Sequence, residues 1–124
     1  GFRNSWYSGA VATAVSFEIA PKVHIRVITP IYFLATKLEA FADRGENDFL
    51  GSSDLEDIIS VVNGREELIF EVEDAPDDVR AYIAAAIADL LSKRAFIDAL
   101  PGHLNPDDSR INIVVNRLQQ LARL

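Results

Sequence analysis

Four charged residues carry the chemistry this sequence offers. Lys37 and Arg44 lie seven positions apart, which on a helix places them within about 20° of each other, so two cations project from one face. A phosphate group suits such a pair. Asp54 and Asp57, three apart further along the chain, occupy neighbouring positions on a second helix and flank its apolar stripe, where their carboxylates can meet the cations across the intervening loop. Two readings follow from spacing alone. One is an anion site that steadies phosphates. The other is a salt-bridge cluster that orients two helices.

Other site grammar is missing. There is no glycine loop ending in lysine for cradling phosphates, no dinucleotide fingerprint and no pair of histidines at helical spacing. Cysteine is absent, which removes thiol nucleophiles and disulfide frameworks together. His24 and His103 sit far apart in different elements, and neither is assigned a role. Gly51-Ser52 followed by Asp54-Leu55-Glu56 imitates a glycine-serine turn leading to paired metal carboxylates. One intervening residue leaves no room for a helix between turn and strand. Within a helix, moreover, Asp54 and Glu56 point roughly 200° apart and cannot share an ion.

The elements that would position these groups follow from periodicity. Val15 to Ile19 and Val23 to Thr29 alternate apolar with polar residues around Ala20-Pro21-Lys22, predicting an antiparallel hairpin half-buried on one face. At Thr29-Pro30 the period switches: threonine can cap, proline suits a first turn, and Ile31, Leu34, Leu38 and Phe41 recur at helical spacing until Gly45. Ser53-Asp54-Leu55-Glu56 has capping-box form and predicts a second helix carrying Leu55, Ile58, Ile59 and Val62, closed by a left-handed Asn63-Gly64.

Glu66 to Asp74 reads as a further helix, although Leu68, Phe70 and Val72 also alternate as in a strand. The longest helix is expected from Pro76 to about Lys93. A short one over Ala95 to Leu100 stops at Pro101-Gly102, and a last one starts at Asn105-Pro106-Asp107-Asp108 and buries Ile111, Val114, Val115, Leu118 and Leu121. The fold class is therefore α+β, mostly α: an N-terminal hairpin region over 1–29 and a bundle of four to six helices over 30–124, forming one domain or a fragment of one.

Composition agrees with one core. The chain has 124 residues, 49% of them hydrophobic, enough for a single domain. No apolar run reaches the roughly 20 residues a bilayer demands, so no membrane role is expected. The net charge of −7 argues against broad binding to a phosphate backbone. Without cysteines or a secretion-signal pattern, a cytoplasmic location is expected. Gly1-Phe2-Arg3 is no natural start, and the chain holds no methionine, so a preceding segment is expected.

Lys37-Leu38-Glu39-Ala40, Arg44 and the Asp54/Asp57 pair together resemble a motif of the AbiEii/AbiGii nucleotidyltransferase toxin family. There, a lysine-leucine-any-alanine helix, with arginine seven positions after the lysine, precedes two aspartates three apart. The likeness extends from the Asn4-Ser5-Trp6-Tyr7 region to Leu104, with its specific part confined to Lys37 to Asp57. Ser53 stands where the family commonly has arginine or lysine.

The resemblance implies the C-terminal part of a nucleotidyltransferase-like fold that transfers a nucleoside monophosphate from a nucleoside triphosphate. Lys37 and Arg44 would contact the nucleotide, and Lys37, Asp57 and Asp54 would form the catalytic set. Magnesium would belong to the intact protein only, held by carboxylates upstream of Gly1, because attack on an α-phosphate needs a metal to offset charge on the entering and leaving oxygens. The 124 residues alone would then be inactive and bind no metal. A cognate antitoxin and an RNA acceptor are further partners the resemblance suggests. The competing expectation is a noncatalytic helical module for protein interaction or dimerisation, and apolar surface left without a sheet partner would favour a homodimer.

Overall fold

The computed structural model describes residues 4–45, 47–104 and 108–124. Two strands, β1 (Val15–Ala20) and β2 (Val23–Val27), follow a short helix α1 (Tyr7–Thr13). Six helices come after them: α2 (Pro30–Arg44), α3 (Ser53–Gly64), α4 (Leu68–Glu73), α5 (Asp77–Leu91), α6 (Arg94–His103) and α7 (Asp108–Ala122). The fold is thus α+β and mostly helical, a hairpin leading into a helical bundle. No helix among the described residues is long and apolar enough to cross a membrane.

The bundle is assembled from the expected apolar stripes. Leu34, Leu38 and Phe41 of α2 meet Leu55, Ile58, Ile59 and Val62 of α3, and Val79, Ile83, Ile87 and Leu90 of α5 close on Val114, Leu118 and Leu121 of α7. Phe96, on α6, is fully buried and sits edge-on to Phe49 in the loop before α3, with ring centres 6.4 Å apart. Ile111 and Val115 lie at the margin, partly buried. In α4 the ambiguous segment is a helix because Leu68 and Val72, four apart, share the core side while Phe70 stands outward.

Several expectations are corrected. α1 was not foreseen; it is held by long-range bonds, since Ser5 donates both its N–H and hydroxyl to Glu39, each at 2.7 Å, and Asn4 donates to the Thr36 carbonyl. Trp6 stacks at 5.1 Å on Tyr82. The hairpin is exposed along both strands rather than half-buried, because no described helix packs over its apolar face. Its turn closes on Lys22 at φ 62, whose N–H donates to Glu18, with a bulge between Glu18 and Ala20.

Thr29 sits at the N-cap of α2 but its hydroxyl makes no capping bond. The cap of α3 is Ser52, not Ser53: its hydroxyl accepts from the Leu55 N–H, so Leu55 takes the position a capping box reserves for glutamate. No described glycine has positive φ, so Gly64 does not close α3 in the left-handed region. The end is satisfied from α7 instead, where Arg117 donates to the carbonyls of Val62 and Asn63 and Arg110 to Asn63.

α6 runs through Pro101 and Gly102 to His103, whose ring nitrogen bonds the Phe49 carbonyl at 2.6 Å. A Cβ on Gly102 would come within 2.7 Å of the Leu50 Cδ2 methyl, the end of an exposed side chain that can turn aside. The expected helix start at Asn105-Pro106-Asp107 lies outside the described residues. α5 is no longer than α2 or α7, each having 15 residues.

Candidate functional site

α2 and α3 pack side by side, and this places the four charges predicted from spacing in one cluster. Arg44, in the last turn of α2, donates to Asp54 through Nε at 2.9 Å and Nη2 at 3.0 Å, a fork-on-carboxylate pair. Lys37, two turns earlier on the same face, places Nζ 2.8 Å from Asp57 and 3.6 Å from Asp54. It also lies 5.6 Å from the centre of the Phe33 ring. The cluster therefore consists of two cations and two anions in alternating contact.

The four groups differ sharply in burial. Asp54 has a side chain only 5% exposed, so it joins the apolar side of α3 instead of flanking it, contrary to the sequence-based expectation. It tolerates that position because both oxygens accept from Arg44; a buried carboxylate without such partners would be costly. Asp57, one helical step away, is 42% exposed, while Lys37 is at 27% and Arg44 at 57%. A buried brace, Arg44–Asp54, thus lies beside a more open pair, Lys37–Asp57.

Electrostatics follows the geometry. The hydrogen bonds from Arg44 hold the Asp54 carboxyl below its ordinary pKa, against an opposing push from burial, and the Arg44 and Lys37 charges act in the same direction as the bonds. The Arg44 guanidinium is correspondingly raised by its bonds to Asp54. Both groups are ionised throughout the physiological range.

Beside Arg44, a shallow depression of about 330 Å³ is lined by Gly45, Asp48, Gly51, Ser52, Ser53 and Asp54. Asp48 already accepts from the Gly51 N–H, so this surface carries carboxylate as well as guanidinium. The residues present do not fit a magnesium ion: the oxygens of Asp54 are engaged by Arg44, and Lys37 stands against Asp57, so cations already fill the places a metal would take. Among the described residues no group of three or more histidine, cysteine or acidic side chains could hold a metal.

Spacing had no means of finding two other polar contacts. Arg65 pairs with Glu71 across the α3–α4 turn at 2.6 Å, and the α7 arginines grip the end of α3. Both tie elements together. No protein-family model, curated protein or solved structure matches the chain.

Proposed function

We propose that the α2–α3 face is a phosphate-positioning surface, the nucleotide-contacting helical part of a nucleotidyltransferase of the AbiEii/AbiGii type. One observation carries the reading: Lys37 is a partly exposed ammonium whose nearest carboxylate, Asp57, is itself open to solvent. A triphosphate oxygen can take the place of Asp57 on Lys37 while Arg44 keeps both of its bonds to the buried Asp54, which Lys37 approaches only at 3.6 Å. In this reading Asp57 holds the lysine extended before the nucleotide arrives, Arg44 adds positive charge alongside, and Asp54 fixes Arg44. The contribution is positioning and electrostatics.

The metal-holding carboxylates of such a reaction would lie outside these 124 residues, and an RNA or other acceptor and a cognate antitoxin belong to the same proposal, as does a cytoplasmic location. What supports it is the motif resemblance together with the exposure of Lys37. A second reading has its own observation: the four charges neutralise one another, as in a clamp that serves only to orient α2 on α3 within a noncatalytic interaction module.

The two readings part on a titration of the chain with a nucleoside triphosphate and, separately, inorganic triphosphate, followed by thermal shift and by Trp6 fluorescence. Trp6 is well placed, since neighbouring Asn4 bonds the carbonyl of Thr36, next to Lys37. The phosphate reading requires saturable binding that Lys37→Gln weakens at least tenfold and Lys37→Glu abolishes. Equal binding by all three proteins, or none by the wild type, leaves the clamp.

A further inference from the structure

The least satisfied surface of the molecule is the hairpin. Cross-strand pairing of Val15 with Val27, Phe17 with Ile25 and Ala20 with Val23 gathers Val15, Phe17, Val23, Ile25 and Val27 onto one face, with Ile19 in the bulge before Ala20, while Ser16, Glu18, His24 and Arg26 share the other. The amphipathic division is complete, yet all six apolar side chains are 41 to 61% exposed. An isolated two-stranded ribbon is marginal in water, and it becomes stable when a further layer covers its apolar face or more strands join it. Here β1 and β2 form the whole described sheet.

We propose that a second copy of this chain covers that face, the two hairpins packing face to face about a twofold axis. Area supports this occupant. At their observed exposure the six side chains offer on the order of 500 Å² of apolar surface, near the upper end of what a monomer carries in one patch. Burying two such patches removes about 1,000 Å², the lower bound for a specific interface and the range of a modest, dissociable one.

The arrangement is also self-complementary. With the central row, Phe17 and Ile25, on the axis, the Ala20/Val23 row of each copy, with Ile19 in the bulge beside it, meets the Val15/Val27 row of the other. The aromatic anchor then lies at the middle, surrounded by β-branched residues. The Val15, Phe17 and Val27 end of the face also opens on a groove of about 760 Å³ whose far wall holds Ala75 and Pro76 together with Arg65, Glu71 and Asp74.

Charge favours the same pairing. The chain carries a net −7, which makes two copies repel, but Val15 to Val27 contains one acidic residue, Glu18, against Lys22 and Arg26. The negative charge is therefore concentrated on the helical body, and the hairpin is the part of the surface where approach of a second copy is least opposed.

Sedimentation velocity of the whole chain, between about 1 and 100 µM, tests the proposal over the range where modest interfaces dissociate. The wild type is expected to shift from monomer to dimer, and the dimer to persist or tighten in high salt, which screens the repulsion while leaving apolar burial intact. Phe17→Glu and, independently, Ile25→Lys should each give a monomer with unchanged far-ultraviolet helix signal, since neither side chain belongs to the helical core. His24→Glu, on the opposite face, should leave the dimer in place. A wild type that stays monomeric at the highest concentration overturns the proposal, as does a dimer that survives both face substitutions or is broken equally by His24→Glu.

Discussion

Arg44 and Asp54, ten residues apart on successive helices, meet through two parallel bonds of 2.9 and 3.0 Å around a carboxylate that is almost sealed from water. Asp57, three residues on, has a shorter contact of 2.8 Å to Lys37 but keeps 42% of its side chain exposed. Contact length alone would rank Asp57 first; desolvation reverses the order. Asp54→Asn is expected to cost about 2 kcal/mol, because charge-assisted bonds to a buried acceptor are lost. Asp57→Asn should stay within about 0.5 kcal/mol, as exposed pairs do. Urea denaturation of the two variants decides the matter, and equal destabilisation would contradict the division into a buried brace and an open pair.

The same brace gives a pH dependence of definite sign. Arg44 holds Asp54 below the ordinary carboxylate pKa, so above the unfolded value both states are ionised and the stabilisation is fully present. As the pH falls, the unfolded chain takes up its proton first and the stabilisation declines until the folded Asp54 is protonated too. The stability gap between wild type and Asp54→Asn should therefore be constant above roughly pH 5 and narrow below about pH 4. Urea midpoints measured across that range would show parallel curves if Arg44 did not stabilise the ionised form.

How the sequence announced the cluster, and where it fell silent, has one physical origin. Helical period placed Lys37 and Arg44 on one face and Asp54 and Asp57 near each other, because period is a property of each helix by itself. Which aspartate is buried depends on where Arg44 arrives from another helix, and no local pattern records that. Alternation likewise revealed the hairpin but not its exposure, since an amphipathic strand looks the same whether or not its apolar face is covered. α1 escaped notice because a seven-residue helix has little stability of its own; Ser5 and Asn4 bind it to α2 from outside its length.

The end of α3 illustrates the same limit and yields a third prediction. Asn63-Gly64 suggested a left-handed closure, whereas the free carbonyls are taken up by Arg117 and Arg110 from α7, more than 40 residues later. Arg117→Met keeps most of the aliphatic stem and removes the Nη1 that donates to both carbonyls, so it should cost about 2 kcal/mol. Hydrogen exchange should rise at the last turn of α3. A variant as stable and as protected as the wild type would mean that water serves these carbonyls equally well.

Tyr82 offers a test at the alkaline end. Its ring packs on Trp6, and burial, with a smaller push from Glu39, raises its phenol to about 12. The neutral form is the one the fold retains. Stability tied to this group is thus fully present below the unfolded value near 10 and lost as the pH rises through about 12, because the unfolded chain ionises first. By ultraviolet absorbance Tyr82 should show a late step, well above the ordinary tyrosine value of 10. Tyr82→Phe should remove that late step and, by taking away the ionising group, lessen the alkaline fall in stability. If Tyr82 instead titrates near the ordinary value of 10, the contact that seats α1 against α5 is looser than the Trp6–Tyr82 packing implies.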